Sequence, residues 1–174
     1  MPGMIVWLNG TFGAGKTTTS GELVRLLPGA RIYDTEEVGF MLRRLRCLPP
    51  VKDFQDWKPW RGLVVETAVH LLDQLGGTLV VPQTVLVEQY WTEIRTGLEK
   101  AGIRLHHFVL DSDEDTLTHR IDTDSVEAGA RQWRLDHLPR YRAALPWLSR
   151  AATVVTTSGV SPAHVAGTIA GTIA

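Results

Sequence analysis

The chain has 174 residues, 44% of them hydrophobic and 21% charged, which excludes a disordered or fibrous protein and points to one compact domain with a true core. Lys and Arg number 18 against 19 Asp and Glu, a net charge of -1, so no bulk charge draws the chain to nucleic acid or an anionic membrane. The one cysteine, Cys47, excludes an intrachain disulfide and a multi-cysteine zinc site.

In chain order, Met4–Asn9 is a short apolar run rich in strand formers and reads as a buried strand. Gly10–Gly15 follows as a loop, and Lys16–Leu27 reads as a helix stopped by Pro28-Gly29. Gly21 inside that helix is unfavourable against Ala and is expected to mark close packing. Ala30–Tyr33 is a second strand ending at Asp34, and Glu36–Arg46 a helix with acids first and arginines last, matching the helix dipole. Cys47–Lys58 is a loop. Pro59 suits the first turn of a helix running over Trp60–Leu75, which Gly76-Gly77 ends.

Thr78–Val81 is the third strand, Glu88–Ala101 a helix, and Ile103–Leu110 the fourth strand. Ser112, with Asp115 three residues on, is expected to cap a helix reaching about Ile121. Asp122–Gly129 is a polar stretch. Ala130–Arg150 returns to helical spacing, with kinks expected at Pro139 and Pro146. Ala152–Thr157 is a fifth strand, and Ser161-Pro162 opens a last helix of small residues. Five apolar strands separated by helices give an α/β fold: a five-stranded parallel sheet with helices on both faces, a three-layer α/β/α sandwich. In such sheets ligands bind beyond the carboxyl ends of the strands. That places the candidates in Gly10–Thr17, Asp34–Glu37, Pro82–Leu86, Asp111–Asp113 and Thr156–Gly159.

The segment Gly10-Thr11-Phe12-Gly13-Ala14-Gly15-Lys16-Thr17 fits the phosphate-binding loop pattern G-x-x-x-x-G-K-[ST] in full, after a strand and before a helix as the chemistry requires. Glycines let the backbone curl so that successive N–H groups face phosphate oxygens, and the following helix aims its positive end at the same anion. Lys16 then reaches the β- and γ-phosphates of ATP, Thr17 and its hydroxyl hold Mg²⁺, and Thr18 adds to the cradle.

Asp34 is a candidate base for an acceptor hydroxyl, or a water-mediated Mg²⁺ contact, and equally a cap for the next helix. Glu36 and Glu37 read mainly as first-turn acids on a solvated face, with Glu37 kept as an acceptor contact. Asp111 follows the fourth strand as a Walker-B acid would, although Ser112 beside it caps a helix.

Arg120, Arg131, Arg134, Arg140 and Arg142 surround the polar stretch and suit a short lid over about 120–134. Arg120 and Arg131 are the pair expected to stabilise the transferring phosphoryl group. Trp57, Arg61 and Gln83 are candidates for an acceptor pocket with apolar walls and one cationic group; anchoring of the long loop is the competing role for the tryptophan. The six histidines show no metal-ligand spacing.

The run Ile5–Thr17 resembles the tunicamycin-resistance ATP-binding proteins of bacteria, as do Tyr33–Gly39, Leu79–Thr84 and His106–Leu110. More broadly the chain is similar to the P-loop nucleotide and small-molecule kinases, which include shikimate, gluconate and chloramphenicol kinases. The resemblance implies strand order 2-3-1-4-5, ATP with Mg²⁺, and a lid near Arg120–Arg134. It gives Asp34 the role of the acid that activates the acceptor hydroxyl. It also makes Thr156–Pro162, with Ser158, the loop that holds adenine. Pro82-Gln83-Thr84 stands where shikimate kinases carry a glycine pair, so shikimate is not the expected acceptor.

The expected function is transfer of the γ-phosphoryl group of ATP to a hydroxyl of an antibiotic or nucleoside-like molecule. The alternative is ATP-dependent sequestration of a drug without modifying it. A nucleic-acid-coupled ATPase is disfavoured by the balanced charge. No apolar run approaches the ~20 residues that cross a bilayer, and the N-terminus does not read as a signal peptide, so a cytoplasmic protein is expected. Monomer and homodimer are both open.

Overall fold

The structure is a computed structural model and describes residues 3–124 and 128–173. Its elements are β1 (Met4–Asn9), α1 (Lys16–Leu26), β2 (Ala30–Ile32), α2 (Glu36–Leu45), α3 (Lys58–Leu75), β3 (Thr78–Pro82), α4 (Glu88–Lys100), β4 (Arg104–Asp111), α5 (Glu114–Asp122), α6 (Arg131–Leu135), α7 (His137–Ala151), β5 (Thr153–Thr156) and α8 (Pro162–Ile173). Short 3₁₀ turns cover Phe54–Asp56 and Ala128–Ala130.

The five strands form one parallel sheet in the order β2-β3-β1-β4-β5, as expected. β1 lies at its centre, in register with Leu79 and Leu105 at Ile5. Alternation along the strand sends side chains to opposite faces. Ile5 and Trp7 join Trp60, Val64, Leu72, Trp91 and Ile94 of α3 and α4. Val6 and Leu8 join Leu23, Leu117, Val165 and Ile169 of α1, α5 and α8. Both faces of β1 are therefore dry, and its carboxyl end delivers the loop after Asn9 to the rim of the sheet.

Four local expectations are corrected. Asp113, not Ser112, caps α5: its Oδ1 accepts from the Thr116 N–H at 2.8 Å and its Oδ2 from the Thr116 hydroxyl at 2.7 Å. The Ser112 hydroxyl is spent on Ser158 instead, at 2.8 Å. The helical pattern of 130–150 divides at Asp136 into α6 and α7. Pro139 falls in the first turn of α7, where its missing N–H would have had no partner; Pro146 alone lies inside the helix. Of the polar stretch Asp122–Gly129, residues 125–127 lie outside the described residues.

Gly21 is not closely packed: a Cβ there would meet nothing within 4 Å. Close helix packing falls instead at Gly97, where a Cβ would sit 2.9 Å from Val65 Cγ1, and at Gly39, where it would overlap the Phe54 ring. Gly21→Ala is therefore expected to stabilise the protein by about 1 kcal/mol through helix propensity, read as a higher urea midpoint at unchanged slope. A lower midpoint would show a constraint that the open space does not reveal.

Candidate nucleotide site

β1 ends in a buried Asn9, and the loop 10–15 curls back above it toward α1. Gly10 and Gly13 have positive φ (133° and 76°), and Gly15 has φ 94°. A Cβ on Gly10 would stand 2.6 Å from the Leu110 carbonyl oxygen, and one on Gly13 would stand 3.0 Å from that of Leu117. The loop is thus seated on β4 and α5 with no room for side chains at these points.

Above it opens a cavity of about 420 Å³ lined by Phe12 to Thr19, Arg120, Asp124, Arg134, Thr157, Val160, Pro162 and Val165. Lys16 sends its Nζ back to the carbonyl oxygens of Thr11 (2.8 Å) and Gly10 (3.2 Å). Although the residue as a whole is half-buried, its ammonium is enclosed, and desolvation lowers its pKa to about 8. The Glu36 carboxylate offsets part of that shift, and the Arg134 guanidinium adds to it.

A desolvated cation set among backbone dipoles is what a polyphosphate would neutralise, so the residues present fit ATP. Thr17 is exposed at the start of α1, where its hydroxyl can join phosphate oxygens and water around Mg²⁺. Thr18 and Thr19 line the same wall, while Thr11 is buried with a hydroxyl that makes no hydrogen bond among the described residues.

The arginines divide differently from expectation. Arg120 Nη1 donates to the Gly13 carbonyl (3.0 Å) and to Thr157 Oγ1 (3.2 Å), and its Nη2 donates to the Thr157 carbonyl (2.9 Å). It clamps the phosphate loop to the loop after β5, on the cavity side where that loop and α8 supply Thr157, Val160, Pro162 and Val165. Arg131 turns away to an exposed ion pair with Asp122 at 2.7 Å and does not line the cavity.

Arg134 takes the place expected for Arg131. Its guanidinium lies 5.5 Å from the Phe12 ring, its side chain is 11% exposed, and it pairs with Asp124 at 2.6 Å. Phe12 also meets Trp133 (4.9 Å) and His137 (5.3 Å), so α6 and the start of α7 rest on the phosphate loop through aromatic contacts. Arg134→Ala is expected to weaken Mg·ATP binding by about tenfold or more, whereas Arg131→Ala changes it less than twofold, because exposed ion pairs contribute little. Titration calorimetry on the two variants checks this; equal losses would contradict the assignment.

The acids after β2 also separate. Asp34 is exposed, and its Oδ1 accepts the Glu36 N–H at 2.9 Å, so it shapes the start of α2. Glu36 and Glu37 are both exposed, and Glu36 is the one whose charge acts on Lys16.

Three expected acceptor residues are built into the fold. Trp57 is buried, donates to the Pro49 carbonyl at 2.8 Å and stacks near Phe54, which anchors the long loop. Arg61 is buried, pairs with Glu93 at 2.6 Å, donates to the Gln55 carbonyl and covers the Tyr90 ring. Gln83 accepts from the Thr35 hydroxyl at 2.6 Å and thereby ties the start of α2 to the end of β3. Ser158 joins Ser112 and the Asp113 N–H at the head of α5; its neighbour Thr157 lines the cavity. Asp111 is held by the Tyr141 hydroxyl at 2.8 Å and by Arg142 at 3.3 Å.

Sequence reasoning missed Asn9, Trp133 and His137, while Thr84 fell within the candidate range Pro82–Leu86. Asn9 closes β1, the one signal that could have found it; the aromatic pair carried none.

A family profile described as an AAA domain matches residues 5–143. None of the curated proteins matches the chain in sequence. Among solved structures, the tunicamycin resistance protein of Deinococcus radiodurans is 28% identical with a TM-score of 0.74, over 98% of this chain and 95% of that one. The likeness expected from the phosphate loop and strand endings is thereby borne out. The APS kinase of Mycobacterium tuberculosis, solved with AMPPNP and APS, is 17% identical with a TM-score of 0.63, over 99% of this chain and 98% of that one. A gluconokinase from Sinorhizobium meliloti 1021 is 18% identical with a TM-score of 0.58, over 95% of this chain and 87% of that one. These two likenesses concern the fold. Among the described residues no helix is long and apolar enough to cross a membrane. With the profile spanning most of the sheet and its phosphate loop, the chain belongs to this AAA-domain family and has the P-loop kinase fold.

Proposed function

We propose that the chain, acting as one domain, is an ATP-dependent kinase that moves the γ-phosphoryl group to a hydroxyl of a small molecule. The observation that carries this reading is the enclosed Lys16 ammonium, hydrogen-bonded to two backbone carbonyls beside a cavity of about 420 Å³ walled by the glycine loop and Arg134. Bound ATP with Mg²⁺ supplies the phosphoryl donor. The loop amides and Lys16 hold its phosphates, Thr17 reaches the metal, and Arg120 secures the wall formed by the loop after β5.

Attack by the acceptor oxygen forms a new P–O bond as the bond to the bridging oxygen of ADP breaks. The hydroxyl proton goes to a carboxylate after β2: Asp34, or else Glu36 or Glu37 in the first turn of α2. Positioning and preorganised charge carry most of the rate. The acceptor class remains an antibiotic or nucleoside-like compound, by likeness to a protein named for tunicamycin resistance. Cytoplasmic location, and a monomeric or homodimeric state, belong to the same proposal.

The test is incubation with Mg·ATP and hydroxyl-bearing compounds, followed by a mass search for a product heavier by one phosphate. Product that disappears in Glu36→Gln and survives in Asp34→Ala assigns the base to Glu36; the reverse assigns it to Asp34. Retention of a compound that depends on ATP but yields no product would replace transfer by sequestration.

A further inference from the structure

β4 carries two consecutive histidines, and alternation sends them to opposite faces of the sheet. His107 is 9% exposed, with Trp91 of α4 against its ring at a centroid distance of 3.8 Å and 31° between the planes. Its Nδ1 lies 3.1 Å from the carbonyl oxygen of Ala151, the last residue of α7 and hence one of the helix carbonyls that lack a partner within the helix. An oxygen can only accept, so Nδ1 carries the proton and Nε2 is left as an acceptor. Nε2 faces the Asn9 amide nitrogen at 3.4 Å.

The Asn9 carboxamide is oriented by backbone partners at both ends. Its Oδ1 accepts the N–H groups of Gly10 (2.8 Å) and Val85 (2.9 Å), and its Nδ2 donates to the Val85 carbonyl at 2.9 Å. Its second amide proton is left for His107. A turned amide would set donor against donor at Gly10 and Val85. Gly10, held through its N–H in this way, offers the carbonyl of its next peptide unit to Thr84 Oγ1 (2.6 Å) and to Lys16 Nζ (3.2 Å). One line of contacts therefore runs from the end of α7 through His107, Asn9 and Gly10 to the phosphate-binding lysine.

We infer that His107 is a positioning residue for nucleotide binding: its unprotonated Nε2 completes the hold on the Asn9 carboxamide, which anchors Gly10 by its N–H and so places the carbonyl that receives Lys16. The inference rests on the reading of this loop as the nucleotide site. Burial supports it by keeping the ring neutral, with its pKa lowered to about 4. The charged group acting on the ring is Arg95 of α4, which also disfavours a second proton; Asn9 of β1, Trp91 of α4 and Ala151 of α7 meet it with neutral groups.

Two substitutions separate the two ends of the ring. Gln places an amide near the Nε2 position and keeps a partner for Asn9 while losing Ala151. Asn places one near the Nδ1 position and keeps Ala151 while losing Asn9. Titration of Mg·ADP and Mg·ATP, with thermal midpoints measured alongside, is expected to show His107→Asn weakened about tenfold and His107→Gln within about twofold of wild type. A residue that only anchored the end of α7 would give the opposite order. Equal affinities, or losses that merely follow stability, overturn the inference.

A measurement on the wild-type protein stands if the Asn variant fails to fold. The ring-nitrogen NMR signals of His107 should report a proton on Nδ1, with Nε2 shifting as Mg·ADP saturates the site. A proton on Nε2, or a signal indifferent to the nucleotide, overturns the inference. Wild-type protein that binds neither nucleotide overturns this inference and the proposed function together, whereas a binding wild type with indifferent variants overturns this one alone.

Discussion

Lys16→Met is expected to lower Mg·ATP affinity by about a hundredfold or more while leaving the free protein more stable than wild type. The two effects have one origin. In the free protein the ammonium is desolvated and is held by two carbonyl oxygens and the face of the Phe12 ring, with Glu36 as a partial counter-charge and Arg134 adding repulsion. Its folded pKa is about 8, against 10.5 for the unfolded chain. Between these values the unfolded state binds more protons than the native state, so stability rises with pH across that window. Below about pH 8 the cost of the buried charge is fully present. Methionine keeps most of the stem and removes the charge, and so removes the cost. A urea series at pH 7 and at pH 10 checks this: the stabilising effect of Lys16→Met should be largest at pH 7 and should shrink by pH 10. A destabilised variant at pH 7 would contradict the account. It would mean that the two carbonyl bonds outweigh desolvation.

Gly10→Ala is the second large effect, and it acts through the backbone. The residue has φ 133°, outside the range L side chains readily adopt, and the new methyl group would press on the Leu110 carbonyl oxygen at 2.6 Å. Neither partner can yield. Gly10 is held through its N–H by Asn9 and through its carbonyl by Thr84 and Lys16, and Leu110 is fully buried in β4. A loss of about 3 kcal/mol or more in unfolding free energy is expected, together with loss of nucleotide binding. A thermal melt reads the first and calorimetry the second. Alanine tolerated at Gly10 with a midpoint near wild type would show that the turn is not fixed as described.

The sheet was legible because its strands are buried on both faces and read as continuous apolar runs, and because the phosphate loop announces itself by spacing. The positions of Lys16 and of the loop after β5 beside the cavity were legible for the same reason, since each follows a strand end, whereas Arg120 was found only as one of an arginine cluster and its clamp on Gly13 and Thr157 was not. What the sequence concealed lies in side-chain direction. Arg131 and Arg134 are three residues apart on one short helix, and nothing in their spacing says which faces Phe12 and which faces Asp122. The α2 acids posed the same problem: Asp34 sits beside the strand end, yet the Glu36 charge is the one that reaches Lys16.

Trp57 and Arg61 had the chemistry of a binding pocket, but a long loop must be anchored and a buried arginine must be paired, and those demands consumed both. Asn9 shows the reverse. A lone asparagine at a strand end carries no motif, although in the structure it joins β1, the loop after β3 and β4 beneath the phosphate site.

The proposed kinase needs the cavity above Lys16 to be a nucleotide site, and calorimetric titration with Mg·ATP tests that most directly. At pH 7 the wild-type protein should bind one equivalent, and Lys16→Met should lose that binding. At pH 9, where the free lysine is largely neutral, binding should take up close to one proton, seen as a heat that changes with the ionisation enthalpy of the buffer. No saturable binding, or binding that Lys16→Met leaves intact, would contradict it.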